Sequence, residues 1–121
     1  MIKGLRTVIY PAPDLTLAKA WYEKVFGVKP YFDEPFYVGF EIGGFELGLV
    51  PDGQPGETGP KALWGVDDIV AEVERLRVAD VTIAGEIEEV GGGIKVVDLL
   101  DPFGNRVGLI ENPTFDLVNV R

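Results

Sequence analysis

Four ionisable residues fall on what strand alternation makes a single sheet face: Glu41, Glu46, Lys61 and Arg106. Carboxylates in such a place could do acid–base work, because burial can raise one carboxyl until it holds a proton near neutrality. Lys61 could bind an enolate or carboxylate, or act as an acid if burial lowered its pKa. It also directly follows a flexible segment, so it can equally reach into water or pair with Glu46. Arg106, next to a turn, reads as a surface residue. Nucleophilic catalysis fails on inventory: there is no histidine, cysteine or serine, and Thr7, Thr16, Thr58, Thr82 and Thr114 have no evident activating partner. Disulfides and thiolate zinc sites are excluded for the same reason. Glu41 and Glu46 remain as a cross-strand carboxylate pair, which is unfavourable unless neutralised. A metal could neutralise it, but two carboxylates make an incomplete metal site, and Lys61 or Arg106 would do it more cheaply. No metal and no cofactor are expected.

The elements that must position these groups follow from periodicity. Gly43-Gly44 separates two strand-like runs, residues 36–42 and 45–50, as a two-residue hairpin turn does. With Ile42 facing Phe45, Glu41 faces Glu46, Gly39 faces Gly48 and Tyr37 faces Val50. Phe36, Val38, Phe40, Ile42, Phe45, Leu47 and Leu49 then share an apolar face that must meet helices, and a one-residue slip would invert it. Residues 4–12 read as a strand with Val8, Tyr10 and Ala12 on one face and Thr7, Ile9 and Pro11 on the other. Asp14 is placed to cap a helix over 15–26, Gly27 to end it, and Leu15, Ala18, Tyr22 and Val25/Phe26 form its core stripe beside Trp21. Asp67 or Asp68 caps a second helix to about residue 79, with Ile69, Val73 and Leu76 inward. Strands follow near 81–88 and 94–100, joined through Gly91-Gly92-Gly93. That glycine run does not lead from a strand into a helix, which rejects a phosphate loop. The last hairpin turns through Asp101-Pro102-Phe103-Gly104-Asn105 into a strand over 106–111, with Val107 and Leu109 in the core.

The chain states this pattern twice. Thr7-Val8-Ile9-Tyr10-Pro11-Ala12-Pro13-Asp14-Leu15 and Lys61-Ala62-Leu63-Trp64-Gly65-Val66-Asp67-Asp68-Ile69 each run from a strand into a helix, and the strands after each helix end in Gly48-Leu49 and Gly108-Leu109. Such duplication implies two halves that pack together. With Trp21-Tyr22, Phe26-Gly27 and the turn from Asp101 to Asn105, the pattern resembles the vicinal oxygen chelate superfamily of glyoxalase I, extradiol dioxygenases and bleomycin-resistance proteins. The resemblance covers residues 4–113. It implies an α+β fold of two βαβββ modules, 4–50 and 61–112, joined by a linker at 51–60. Together they would make one domain over 1–121, with a curved mixed sheet around a central cavity and helices outside. The family's metal ligands fall, by the same resemblance, on Thr7, Gly48, Lys61 and Gly108, where no normal ligand side chain stands.

The face turned from the helices is expected to bind a ligand through Thr7, Ile9, Tyr37, Gly39, Glu41, Glu46, Gly48, Lys61, Leu63, Arg106, Gly108 and Ile110, with Pro11, Val50 and Gly65 beside them. It is mostly apolar or glycine, which suits an organic molecule. The strand glycines either clear volume or serve bulges and curvature. Among 121 residues 46% are hydrophobic, enough for one core, and the net charge of −9 disfavours nucleic acid while suiting a cationic ligand or simply solubility. Residues 1–10 lack the order of a signal peptide and no run is long enough to span a bilayer, so a cytoplasmic location without membrane association is expected. The leading expectation is metal-independent binding of a small organic molecule, cationic or aromatic, by a bleomycin-resistance-like homodimer. A lyase or isomerase using Glu46 or Glu41 with Lys61, and a non-catalytic regulatory module, are the alternatives.

Overall fold

A computed structural model describes every residue except Ile2, Glu57, Gly59 and Arg121, so two of the ten expected linker residues lie outside the described set. The chain forms two βαβββ modules. The first comprises β1 (Thr7–Pro11), α1 (Leu15–Phe26), β2 (Phe32–Glu34), β3 (Tyr37–Ile42) and β4 (Phe45–Val50). The second comprises β5 (Leu63–Gly65), α2 (Ile69–Val78), β6 (Thr82–Gly91), β7 (Ile94–Leu100) and β8 (Arg106–Glu111), and a 3₁₀ turn follows at Leu117–Asn119. Each module is a four-stranded mixed sheet, in the orders β1-β4-β3-β2 and β5-β8-β7-β6, with the first strand parallel to its neighbour.

Local chemistry sets the boundaries. Asp14 and Asp68 accept from the amides of Leu17 and Ala71, each at 3.1 Å, satisfying donors that a helix start leaves unpaired. Gly27 ends α1 at φ 72°, a left-handed conformation that a side chain disfavours, and its amide donates to Glu23 O at 2.8 Å. The β3–β4 register is the expected one, with Ile42 against Phe45, Glu41 against Glu46 and Gly39 against Gly48. Val38, Phe40, Leu47 and Leu49 are buried accordingly.

One expectation fails. Phe36 does not join the core face but is 66% exposed in the turn before β3, its ring edge-on to Phe32 at 6.0 Å. Strand β2 is the one implied by the βαβββ pattern but not placed by the residues themselves. Pro30, Asp33, Glu34 and Pro35 argue against a strand by propensity, yet pairing with β3 holds one at the sheet edge, where such residues are tolerated.

One core serves both modules. Tyr22, Phe40, Leu47 and Leu49 from the first join Ile69, Leu76, Leu99 and Val107 from the second. Each such side chain stabilises the fold by about 1.5–3 kcal/mol on burial. Three polar contacts fix how the modules meet. Trp64 Nε1 donates to Tyr10 Oη at 3.2 Å, bridging β5 to β1. Arg75 on α2 donates to the carbonyl of Val25 at 2.8 Å, satisfying the end of α1. The turn from Asp101 to Asn105 folds around a buried carboxylate: Asp101 Oδ1 accepts the amides of Phe103 and Asn105, while Oδ2 accepts Tyr22 Oη and Asn105 Nδ2, each at 2.8 Å. Asn105 Nδ2 also donates to Pro11 O at 2.8 Å, so the second module's turn grips the first module's strand and helix. Among the described residues no helix is long and apolar enough to cross a membrane.

Candidate functional site

The face away from the helices carries a different polar cluster on each module. On the first, Tyr37 at the start of β3 points along the face toward Gly39 and Gly48, which sit opposite each other on β3 and β4. A Cβ on Gly48 would lie 2.6 Å from Tyr37 Cζ, and one on Gly39 3.2 Å from Tyr37 Cε2 and 3.3 Å from Tyr31 Cε1. These glycines do clear volume, and the protein's own tyrosines fill it. Tyr31 is drawn in because its amide donates to Gly39 O at 3.0 Å, extending the β2–β3 pairing. Both phenols then donate to one carboxylate, Tyr31 to Glu46 Oε1 and Tyr37 to Glu46 Oε2. The pKa of Tyr31 rises because its proton bonds Glu46; that of Tyr37 rises first by burial and then by the same bond and charge. Both stay neutral donors at physiological pH. Phe32 lies on this face with its ring 6.1 Å from that of Tyr37, and Ile9, paired with Gly48, is 54% exposed beside it.

On the second module, Asp98 on β7 faces Gly108 on β8, as Gly39 faces Gly48 in the first. Its Oδ2 accepts Lys61 Nζ at 2.9 Å and Arg106 NH1 at 3.0 Å. Asp98 is 8% exposed, and a carboxylate so enclosed needs compensation, which the two half-exposed cations supply in excess. Gly108 is tight for another reason: a Cβ there would lie 2.5 Å from Leu63 Cδ2 and 2.7 Å from Ala62 O.

The expected site residues therefore divide. Thr7 is exposed opposite Glu46, Leu63 is 44% exposed against Gly108, and Ile110 lies between Val96 and Gly65. Tyr37, Gly39, Glu46 and Gly48 form one cluster; Lys61, Arg106 and Gly108 belong to another. The expected pairing of Glu41 with Glu46 is formed by register only, since the Glu41 carboxylate turns away and accepts the Gly44 amide at 2.6 Å. Lys61 pairs with Asp98 and not with Glu46, and Arg106 is likewise tied into the face by Asp98. Tyr31 and Asp98 were missed. An aspartate inside an apolar run, residues 96–100, was the available signal for Asp98.

The four positions at which the family holds metal do not fit one. Gly48 and Gly108 offer no side chain, and the space a ligand atom would need is taken by Tyr37 in one case and by Leu63 and Ala62 in the other. The Lys61 ammonium faces Asp98, and Thr7 offers only a neutral hydroxyl. Among the described residues no group of three or more Asp, Glu, His or Cys is arranged to hold a metal ion.

Paired βαβββ modules with mixed sheets define the class of fold. The family model described as Glyoxalase/Bleomycin resistance protein/Dioxygenase superfamily matches residues 4–109, and the chain belongs to that superfamily. Three solved structures share the fold. A lactoylglutathione lyase from Agrobacterium tumefaciens is 23% identical with a TM-score of 0.75, covering 91% of this chain and 94% of its own. A bleomycin resistance determinant encoded on the transposon Tn5 is 20% identical with a TM-score of 0.75, covering 91% and 98%. A genomically encoded fosfomycin resistance protein from Listeria monocytogenes is 17% identical with a TM-score of 0.78, covering 100% of both chains. No protein of curated function matches the sequence.

Proposed function

We propose that this chain is a metal-independent, glyoxalase-like binding protein, one domain of modules 4–50 and 61–112 that takes a small organic molecule on its open sheet faces, in the manner of a bleomycin-resistance protein. The observation that carries this reading is the composition of those faces. Exposed apolar side chains, Ile9 and Leu63, stand at equivalent places in the two modules, each beside a hydrogen-bonded polar cluster. Apolar area with a few oriented polar groups suits an organic ligand. The ligand-binding set is Thr7, Ile9, Tyr37, Gly39, Glu46, Gly48, Lys61, Leu63, Arg106, Gly108 and Ile110, extended by Tyr31 and Asp98. A lyase or isomerase built on Glu41, Glu46 and Lys61 finds less support, because each of the three engages a different partner.

Ile9, Tyr31, Phe36 and Leu63 are exposed on or beside the binding faces, which favours a C₂ homodimer that encloses those faces together with the ligand on them, acting in the cytoplasm. Thermal shift against bleomycin, fosfomycin and a set of aromatic amines tests the binding reading, since a ligand of the native state raises stability by RT ln(1 + [L]/Kd). A melting temperature unmoved by the whole set would count against it. A monomeric mass by light scattering would refute the dimer.

A further inference from the structure

Glu46 is a carboxylate with two oriented donors and, among the described residues, no ion-pair partner. Its oxygens accept from Tyr31 and Tyr37, both neutral, and among the described residues no lysine or arginine forms an ion pair with it. Two hydroxyls fix the charge in place without cancelling it, and each phenol oxygen keeps acceptor capacity of its own. The surroundings are aromatic: Phe32 stands 6.0 Å from Phe36 and 6.1 Å from Tyr37, ring centre to ring centre, and ring faces attract cations. The corresponding position of the other module shows the contrast. There, first in β8 as Glu46 is second in β4, and two residues before the glycine of each strand, stands Arg106, and the buried anion beside it already holds two cations. The net charge of −9 adds a field of the same sign as Glu46.

We infer that Tyr31, Tyr37 and Glu46 form the subsite for the cationic group of the ligand, an ammonium or amidinium carried on a flat apolar body that lies against the neighbouring rings of Tyr37 and Phe32. This rests on the sheet face being the binding face and adds the sign of the charge it selects. The carboxylate supplies the counter-ion, the phenol oxygens accept further N–H bonds, and the rings cover the apolar part.

The test is a ¹⁵N-resolved NMR titration with benzylammonium and with its neutral isostere, benzyl alcohol, following the amides of Ile9, Gly39 and Gly48. Saturable shifts at these amides are expected, with the ammonium bound at least about tenfold more tightly than the alcohol, as for a charge-assisted contact. Glu46→Gln should erase that tenfold difference, bringing the two compounds to about the same affinity. Tyr31→Phe and Tyr37→Phe should each cost the ammonium less, because the carboxylate charge remains. Added salt should weaken the ammonium on the unaltered chain, which keeps the test independent of how Glu46→Gln folds. Equal affinity for the two compounds, or salt-independent ammonium binding, overturns the cation subsite and leaves small-molecule binding on this face standing. No saturable shift from either compound overturns both.

Discussion

Replacing Gly108 with alanine separates two explanations of why strand residues on this face are glycine. The added Cβ would lie 2.5 Å from Leu63 Cδ2 and 2.7 Å from Ala62 O, both far inside ordinary contact distance. The leucine methyl can rotate away. The carbonyl cannot, because it accepts the Gly108 amide at 3.1 Å in the β5–β8 pairing, and moving it opens that ladder. Overpacking of this kind costs about 1–3 kcal/mol. Gly65, on β5 of the same sheet, is the control. It has ordinary φ and no atom within 4 Å of a built Cβ, so Gly65→Ala should stabilise by about 0.4–1 kcal/mol through the unfolded chain. Urea unfolding measures both, with the midpoint falling for Gly108→Ala and rising for Gly65→Ala at unchanged m. Were Gly108 kept open for a ligand, alanine would be accepted at full stability. Equal stability of Gly108→Ala and the unaltered chain, or equal destabilisation by both substitutions, would refute the reasoning.

Tyr22→Phe removes one of the two donors to Asp101 Oδ2 within the core and should destabilise by about 1–3 kcal/mol, read by the same urea titration; a loss below about 0.5 kcal/mol would show that Asn105 alone satisfies the carboxylate. All four tyrosines hold their protons more tightly in the folded chain: Tyr10, Tyr22 and Tyr37 first because burial disfavours the phenolate, Tyr31 first through its bond to Glu46. A raised folded pKa contributes stability that is whole below the ordinary tyrosine value of 10.0 and is lost as pH rises beyond it. Tyrosinate absorbance of the native protein should therefore lag that of the urea-unfolded chain, and the melting temperature should fall in the same alkaline range. A native titration that coincides with the unfolded one would be the contrary result.

What was legible in the sequence were features that repeat or punctuate. Two-residue turns, aspartate caps and period-two apolar runs act locally, so α1, β4 and β8 fall where the pattern puts them. The site was legible only as a face. Alternation placed Glu46, Gly48 and Tyr37 on one side of the sheet, but which side chains meet there depends on reach across strands. Tyr31 arrives from just before an edge strand formed by pairing against its own propensity, and Lys61, ahead of β5, finds Asp98 on a strand two places from β5 in the sheet. Neither contact has a local signature.

The turn that carries Asp101 and Asn105 has no counterpart in the first module. There the corresponding hairpin closes through Gly43 and Gly44, and among the described residues its side-chain bond is internal, from Gly44 back to Glu41. The two halves have the same shape and yet hold unequal offices, one gripping and the other gripped. Two copies of residues 4–50 in tandem would meet without the carboxylate that Tyr22 seeks or the amide that Pro11 O accepts. The duplication has lost its interchangeability at the seam. The two sheet faces differ in the same way, with Glu46 on one and Arg106 at the matching strand position on the other.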